Sequence, residues 1–254
     1  MMRRIAVVNQ KGGAGKTTTV VNLAAALGKR RRRVLVIDLD PQAAATAWLG
    51  ARHTEPGISE VLTGQRGLHT VIAESGARRV EIVPASPLLS TIESTLKWRQ
   101  IERFRHLLDA LAPERWDYVL FDVPSSTRPL AHAALVAANE VIVPVEARAL
   151  ALRGMVQNFE TIEGVRKSRN RGLKIAGVVA CRVDLRTRHA REILAALREA
   201  FAPRLYGTYI RENVKLSEAP SFFQTIFDYD PTSHGARDYQ ALAFEVVRQE
   251  EDVR

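Results

Sequence analysis

A glycine-rich segment near the amino terminus carries the residue types that bind phosphate. Residues 10–19 read Gln-Lys-Gly-Gly-Ala-Gly-Lys-Thr-Thr-Thr, between the apolar run Ile5–Val8 and a helix-like segment, Val20–Leu27. Glycine lets backbone N–H groups converge on phosphate oxygens, and the amino end of a helix adds partial positive charge there. Lys16 would reach the outer phosphates, and the Thr17 hydroxyl would coordinate Mg²⁺. We expect the phosphates to contact Gly12, Gly13, Ala14, Gly15, Lys16, Thr17 and Thr18.

The spacing in this segment departs from the usual phosphate loop, G-x-x-x-x-G-K-[ST], because Gln10 stands where the first glycine belongs. The motif K-G-G-A-G-K-T-T, with its additional Lys11, resembles the deviant phosphate loop of the ParA/MinD family of ATPases. The resemblance implies that the nucleotide is ATP and that Lys11 reaches across a dimer interface to the nucleotide of the partner subunit. It therefore implies an ATP-sandwich homodimer, with Lys11 and Lys16 both among the catalytic residues.

Two further segments place carboxylates where an apolar strand ends. Val34–Ile37 runs into Asp38-Leu39-Asp40-Pro41-Gln42, and Tyr118–Asp122 is an apolar run that ends in an acid. Acids at alternate positions of a strand point the same way, and the carboxyl edge of a parallel sheet is where ligands bind. The second run has the Walker-B pattern, which delivers Asp122 toward Mg²⁺. A plainer interpretation makes Asp38 and Asp40 caps of a strand end.

The first of these segments, D-L-D-P-Q, resembles a motif of ParA-like proteins. The resemblance implies that Asp40 positions the attacking water and that Asp38 is an outer partner of Mg²⁺. After Asp122 the family usually continues x-P-P-S, whereas this chain continues Val-Pro-Ser-Ser and lacks the second proline.

The carboxyl-terminal third carries candidate contacts to DNA. Residues 213–220 read N-V-K-L-S-E-A-P and residues 230–236 read D-P-T-S-H-G-A, which resemble two signatures of chromosomal-type ParA proteins. The resemblance maps DNA-contacting arginines onto Arg186 and Lys215, and it makes Asn213 a neighbour of the adenine. Arg188 lies on the face of a predicted helix that is turned away from its core side, Ile193, Leu194, Leu197 and Phe201. Solvated surface charge remains the alternative for these cations.

Charge and composition limit the function classes. The net charge is +9 and the sequence pI is about 10.1, which favours a polyanionic partner, either nucleic acid or an anionic membrane surface. Lys29–Arg33 is either a DNA-contacting patch or a solvated connection, and we favour the solvated connection. The single cysteine, Cys181, excludes an internal disulfide. No apolar run approaches the roughly 18 residues of a membrane span, so we expect a cytoplasmic protein.

The elements that must position these residues alternate between strands and helices. The apolar runs predict strands at Ile5–Val8, Val34–Ile37, Val80–Pro84, Tyr118–Asp122, Val141–Val145 and Leu173–Val179. Helix-like segments separate them, among them Leu88–Lys97, Ile101–Leu111 and Leu150–Lys167. This alternation predicts an α/β fold, with a single doubly wound, mostly parallel sheet and helices on both faces. No linker-like segment interrupts it, so we expect one domain over residues 1–254.

Together the motifs predict a Mg²⁺-dependent ATPase that dimerises around ATP and binds double-stranded DNA without sequence preference. A ParB-like or cargo-adaptor protein would stimulate hydrolysis, and the protein would move a chromosome, plasmid or other cargo over the nucleoid. One alternative is a MinD-like membrane-cycling ATPase, which would end in an amphipathic basic helix, whereas Val246–Arg254 contains an acidic cluster. The other is a metabolic ligase or small-molecule kinase on the same fold.

Overall fold

The computed structural model describes residues 2–51, 56–86, 88–112, 114–125, 129–148 and 151–250, without the side chains of residues 151–153. Over these ranges it has seven strands: β1 (Arg3–Val7), β2 (Val34–Asp38), β3 (Ala73–Glu74), β4 (Val80–Val83), β5 (Tyr118–Asp122), β6 (Glu140–Glu146) and β7 (Lys174–Cys181). They form one sheet in the order β3-β4-β2-β5-β1-β6-β7. All neighbouring strands are parallel except β3 and β4, which are antiparallel.

The same ranges contain eleven α-helices: α1 (Lys16–Lys29), α2 (Ala44–Trp48), α3 (Ile58–Thr63), α4 (Leu89–Glu93), α5 (Trp98–Asp109), α6 (Pro129–Ala137), α7 (Ala151–Ser168), α8 (Arg188–Phe201), α9 (Val214–Glu218), α10 (Ile226–Tyr229) and α11 (His234–Arg248). Short 3₁₀ turns lie at Leu68–Thr70 and Ala219–Phe222. Each of these helices is too short or too polar to cross a lipid bilayer.

Two hydrophobic clusters, one on each face, cover the sheet. Residues of α1, α2, α10 and α11 pack against one face, and residues of α3, α5, α6, α7 and α8 pack against the other. The central strands β2 and β5 are buried at every position, as expected for strands covered on both sides. The predicted fold class is therefore confirmed.

The register of the sheet brings the strand ends of the predicted site together. Asp122, the last residue of β5, pairs with Asp38 of β2 on one side and with Val7 of β1 on the other. The glycine-rich segment follows β1 directly. The phosphate loop and both strand-end carboxylates therefore lie at one carboxyl edge of the sheet.

Some local predictions differ from the structure. The helix predicted over Leu88–Lys97 is shorter, since α4 ends at Glu93 and α5 begins only at Trp98. The sequence did not indicate β3, whose two residues are too few to show a pattern. The sequence also did not indicate α6 and α11. The predicted helix start at Leu150 and residues 251–254 of the acidic cluster lie outside the described residues.

Candidate functional site

The glycine-rich loop between β1 and α1 forms an open cradle. Gly13 and Gly15 have φ angles of 74° and 90°, a left-handed conformation that favours glycine. A Cβ atom added at Gly12 or Gly13 would meet no other atom within 4 Å. Because Gly15 immediately precedes α1, a group in this space faces the amino end of a 14-residue helix. Such an end supplies unpaired N–H groups and positive partial charge, which suits a phosphate.

Lys16, the first residue of α1, points inward. Its side chain is buried, and its Nζ donates to Ser125 Oγ at 2.6 Å and to the Lys11 carbonyl oxygen at 3.4 Å. Burial lowers the pKa of Lys16, although the charges of Asp122 and Asp40 oppose this shift. The ammonium group therefore lies against the loop of its own chain. An anion in the cradle would stabilise the positive charge that burial disfavours.

Asp122 is a completely buried carboxylate without an ordinary hydrogen bond. Neither of its oxygens has a partner of normal geometry in the part of the chain described. Burial raises its pKa well above the usual range, the nearby Asp38 raises it further, and the Thr17 hydroxyl favours the charged form. An unpaired buried carboxylate beside a hydroxyl and a phosphate cradle provides the oxygen ligands that Mg²⁺ takes. The residues present therefore fit the predicted ion.

A magnesium ion here would also need ligands from a bound nucleotide. The described residues contain no group of three or more His, Cys, Asp or Glu side chains that could hold a metal without other ligands. Mg²⁺ is commonly bound by one or two protein groups together with phosphates and waters. Thr17 and Asp122 are the two groups at this position.

Asp38 is also completely buried, but its oxygens are occupied. Oδ2 accepts from the Thr46 backbone N–H at 2.8 Å and from Thr46 Oγ1 at 2.6 Å, and Oδ1 accepts from the Asp40 N–H at 3.0 Å. Burial raises the pKa of Asp38 to about 6, and these hydrogen bonds oppose the shift. Asp38 therefore joins the end of β2 to α2 and orients the backbone at Asp40.

Asp40 lies just beyond this anchor and is partly exposed. Its Oδ1 accepts from the Gln42 N–H at 3.0 Å, so one oxygen stabilises the turn that follows. Its carboxylate also acts on the Lys16 ammonium, which places it on the phosphate-loop side of the strand end. A partly exposed carboxylate on this side of the strand end can accept a hydrogen bond from a water molecule beside the cradle.

Lys11, unlike Lys16, points outward. Its side chain is 54% exposed, and its Nζ lies 2.7 Å from Glu146 Oε2 at the end of β6. Glu146 also contacts Arg148 Nε at 3.0 Å and Arg182 Nη1 at 3.3 Å. Burial alone would raise the pKa of Glu146, but the hydrogen bond from Lys11 and the three positive charges together lower it. Lys11 is thus paired with a carboxylate of its own subunit.

The start of the loop is fastened to α7. Asn158 is buried and accepts from the Gln10 N–H at 2.8 Å, while its Nδ2 donates to Asn9 Oδ1 at 3.1 Å. The same Asn9 oxygen accepts from the Lys11 N–H at 2.9 Å, and Asn9 Nδ2 donates to the Pro144 carbonyl oxygen at 2.7 Å. These hydrogen bonds fix the backbone at Gln10 and Lys11, and hence the point from which the Lys11 side chain extends outward.

Asn213 lies at the same edge of the sheet as the loop. Its side chain accepts from the Lys215 N–H at 2.9 Å and caps α9. A Cβ added at Gly235, at the start of α11, would lie 3.2 Å from Asn213 Nδ2. The helix α11 packs along α1, and Thr19 Oγ1 lies 3.3 Å from Tyr239 Oη. Asn213 is therefore beside the amino end of α1.

The candidate DNA contacts lie on two adjacent segments. The Glu212 N–H donates to the Val183 carbonyl oxygen at 3.1 Å, which brings the segment of Arg186 beside that of Lys215. Each candidate cation pairs with an acid nearby in the chain: Arg186 with Asp184 at 2.8 Å, Arg188 with Glu192 at 2.7 Å and Lys215 with Glu218 at 2.9 Å. Exposed pairs of this kind contribute little to stability, so a phosphate could replace the acid.

Several residues of the site were not found from the sequence: Thr46, Ser125, Glu146 and Asn158. Ser125 stands at the missing second proline, so that departure marked a position whose side chain contacts Lys16. Glu146 follows the apolar run Val141–Val145, the same pattern of a strand ending in an acid that indicated Asp122. Thr46 and Asn158 gave no comparable signal, because only tertiary contacts connect them to the site.

Comparisons with known proteins agree with this geometry. A family model described as an AAA domain matches residues 2–175. The chain is 42% identical over 246 residues to the chromosome-partitioning ATPase Soj of Thermus thermophilus, covering 97% of this chain and 96% of that protein. It is 37% identical over 256 residues to the chromosome partitioning protein ParA of Caulobacter vibrioides, covering 99% and 96%.

A solved structure shares the fold over the whole chain. It is a cobyrinic acid a,c-diamide synthase from Mycobacterium smegmatis with a bound ATP analogue and magnesium. The TM-score is 0.86 at 30% identity, and the match covers 100% of this chain and 98% of that chain. Proteins of nearly the same length thus share both sequence and fold with this one.

Proposed function

Because the chain belongs to the ParA/Soj family of partition ATPases, we propose that it works as an ATP-sandwich homodimer that binds DNA without sequence preference. The family resemblance drawn from the motifs is confirmed, and the chain is an ATPase. The observation that carries the finer proposal is the opposite orientation of the two loop lysines. Lys16 is buried against its own subunit, whereas Lys11 is exposed on a loop that α7 holds in place.

Nucleotide binding in each subunit rests on the cradle. The backbone of Gly12–Thr18 would surround the phosphates of ATP, and Lys16 would neutralise the outer ones after leaving Ser125. Thr17 and Asp122 would hold Mg²⁺, with Asp38 behind them. When bound, the ion neutralises charge on the phosphate oxygens during transfer. Asn213 would lie next to the adenine.

Lys11 would complete the site of the other subunit. A lysine on an exposed loop can exchange the Glu146 carboxylate for the more strongly charged triphosphate of a partner across a two-fold axis. This exchange would make dimerisation depend on ATP, because only a bound triphosphate in the partner subunit can take the place of Glu146 as the anion next to Lys11. Asp40 would orient the attacking water, since Asp38 and Thr46 fix the backbone on which it lies.

DNA binding would use Arg186, Arg188 and Lys215, which are exposed and would exchange their nearby acids for phosphates. One subunit offers about three phosphate contacts, which is weak binding at physiological salt. A dimer doubles the number, and each neutralised phosphate adds about 0.9 to the log–log salt slope. DNA affinity should therefore rise with ATP and show no sequence preference.

The partner and the location extend the same proposal. The relatives are named for chromosome partitioning, so we place this protein on the nucleoid in the cytoplasm, with a ParB-like or cargo-adaptor protein as its activator. We also propose that residues 1–254 act as one ATPase domain. The cargo would be a chromosome, a plasmid or another large body.

Dimerisation is tested by sedimentation with a non-hydrolysable ATP analogue. Lys11→Ala should bind nucleotide but stay monomeric, because the cradle and Lys16 are unchanged while the reach to the partner is lost. The matched control is Lys97→Ala, an exposed lysine on another surface. A Lys11→Ala dimer of normal affinity would refute the trans role.

DNA binding is tested by salt titrations on two duplexes of unrelated sequence. The ATP form should bind both alike and more tightly than the ADP form, and Arg186→Glu or Lys215→Glu should weaken both alike without affecting dimerisation. A strong preference for one duplex, or equal affinity in ATP and ADP, contradicts the proposal. A diamide synthase activity, the rival given by the M. smegmatis protein's name, would instead require an organic acid substrate for ATP turnover.

A further inference from the structure

Four arginines from two distant segments meet at the amino edge of the sheet. Arg30 and Arg31 follow the end of α1, and Arg78 and Arg79 precede β4. A Cβ added at Gly28 would lie 2.3 Å from the Arg78 carbonyl oxygen. The Val34 N–H donates to the Arg79 carbonyl oxygen at 3.0 Å. We call Arg30, Arg31, Arg78 and Arg79 the amino-edge cluster.

The side chains of the amino-edge cluster are little used within the described fold, and the contact found among them is that of Arg30 with the Phe244 ring. All four are exposed, and none forms an ion pair with another residue in the described ranges. The adjacent Arg32 and Arg33 differ, since they pair with Glu250 at 2.7 Å and with Asp117 at 3.3 Å. These acids are thus already engaged. The four arginines of the basic run thus differ in role. Arg32 and Arg33 form ion pairs within the fold, whereas Arg30 and Arg31 face solvent beside the other exposed pair, Arg78 and Arg79.

Two of the four arginines stand where a glycine would be less strained. Arg31 has a φ angle of 65° and Arg79 one of 61°, the left-handed region. For a residue with a Cβ this conformation is strained. The stability of the fold therefore does not favour arginine at these positions, because neither side chain forms an ion pair in the described residues that would offset the strain.

Phosphate is the group that this surface fits. Guanidinium groups bind phosphate oxygens in pairs, and a duplex presents a row of phosphates at closely spaced positions. A bound peptide would need apolar anchors. The exposed aromatic side chain beside the cluster, Phe244, has Arg30 and Arg248 over its ring at 5.0 and 5.9 Å from the centroid, so cations already cover it.

The cluster is far from the nucleotide. The phosphate loop is at the amino end of α1 and the cluster is at its carboxyl end, so 14 residues of helix put about 20 Å between them. This separation exceeds the Debye length of about 8 Å at physiological ionic strength. The charge of bound ATP or ADP should hardly change the potential at the cluster.

We propose that the amino-edge cluster is a second surface for duplex DNA that acts in any nucleotide state. It goes beyond the proposed function, in which DNA binds at the carboxyl edge and only the ATP dimer binds tightly. One molecule then contacts two duplexes, one at each edge of its sheet. It also keeps weak affinity for DNA in the ADP form.

The first test measures binding of the ADP form to two unrelated duplexes by fluorescence anisotropy over a salt series. Wild type should bind weakly, and a cluster variant should lose about tenfold at low salt, with a salt slope smaller by about 0.9 for each lost contact. The two cluster variants are Arg30→Glu with Arg31→Glu, and Arg78→Glu with Arg79→Glu. The control is Arg66→Glu with Arg99→Glu, the same charge change on exposed arginines elsewhere.

The second test measures bridging in the ATP form. Wild type on a bead-bound duplex should capture a second, labelled duplex, whereas the cluster variants should bind the bead and capture little. If a double variant melts at a lower temperature than wild type, the single variants Arg30→Glu and Arg78→Glu are tested in its place, because the backbone at these two residues is not left-handed.

Several outcomes would overturn the inference: no ADP-form binding at all, wild-type binding by the cluster variants, an equal loss in the control, or polyglutamate binding as tight as the duplex. The Arg186→Glu variant separates this inference from the proposed function. It should lose the ATP-dependent gain in affinity but keep the weak ADP-form binding. Loss of both in that variant would place all DNA binding at the carboxyl edge.

Discussion

Glu146→Gln should strengthen the proposed ATP-dependent dimer. In the structure Lys11 Nζ lies 2.7 Å from Glu146 Oε2, so Lys11 must leave this carboxylate before it reaches a partner's nucleotide. Glutamine keeps the size and one acceptor oxygen but removes the charge. The substitution therefore lowers the cost of releasing Lys11 and leaves the cradle unchanged.

The size of the effect follows from the exposure of the pair. Lys11 is 54% exposed, whereas Glu146 is only 7% exposed and is shared with Arg148 and Arg182. Because the lysine end reaches solvent, we assign the ion pair about 0.5–1 kcal/mol, the upper part of the range for surface pairs. A dimer releases two such pairs, which together amount to about 1–2 kcal/mol. The dimer dissociation constant should therefore fall by about 5- to 30-fold.

Sedimentation over a protein concentration series, with a non-hydrolysable ATP analogue, measures this constant. Glu212→Gln is the matched control, because it removes an ionic partner of Arg182 without touching Lys11. The double variant Lys11→Ala with Glu146→Gln should dimerise no better than Lys11→Ala. A weaker dimer in Glu146→Gln would mean that Glu146 directs Lys11 toward the partner, and the reasoning above would be refuted.

Three more predictions concern the carboxylates and Lys16. Asp40→Ala should bind ATP and form a persistent dimer but hydrolyse little, as measured by phosphate release; turnover at the wild-type rate would exclude Asp40 as the water-orienting residue. Lys16→Ala should lose nucleotide affinity by calorimetry, whereas Lys11→Ala should not. Burial holds the pKa of Asp38 at about 6 rather than 3.8, so the folded protein binds a proton that the unfolded chain releases. As the pH rises from about 4 to 6, loss of this proton lowers the free energy of unfolding of the nucleotide-free protein by at most about 3 kcal/mol. Urea unfolding over this pH range measures the decrease, and the Asp38→Asn variant should not show it.

The strands and the phosphate loop could be predicted because their signals are contiguous. Four apolar residues in a row, Val34–Ile37, predict β2, and a glycine pattern between a strand and a helix predicts the loop. The helix α8 was also expected, and it begins with Thr187 accepting from the Ala190 N–H. The same signal was present at Ser233, which accepts from the Ala236 N–H and starts α11. There the residues were interpreted only as a family signature.

The partners within the site could not be predicted because they are distant in the chain. Lys11 and Glu146 are 135 residues apart, and Lys16 and Ser125 are 109 apart. Each pair depends on the strand order, which places β1 between β5 and β6. A sequence shows that a strand ends in an acid but not which strand is its neighbour. The basic run at residues 29–33 is similar, because only the fold shows that Arg32 and Arg33 are paired and Arg30 and Arg31 are not.

The contacts of α2 connect the end of β2 to the segment that carries Lys215, one of the proposed DNA contacts. Asp38 binds Thr46 on one side of this short helix, and the Trp48 indole N–H donates to the Gln224 carbonyl oxygen at 2.6 Å on the other. Gln224 follows the segment of α9 and its 3₁₀ extension, where Lys215 lies. If hydrolysis moves the end of β2, that movement must either carry this segment along or break a hydrogen bond. The amino-edge cluster has no such connection, since it lies at the far end of α1, and its contacts to DNA would not change with the nucleotide.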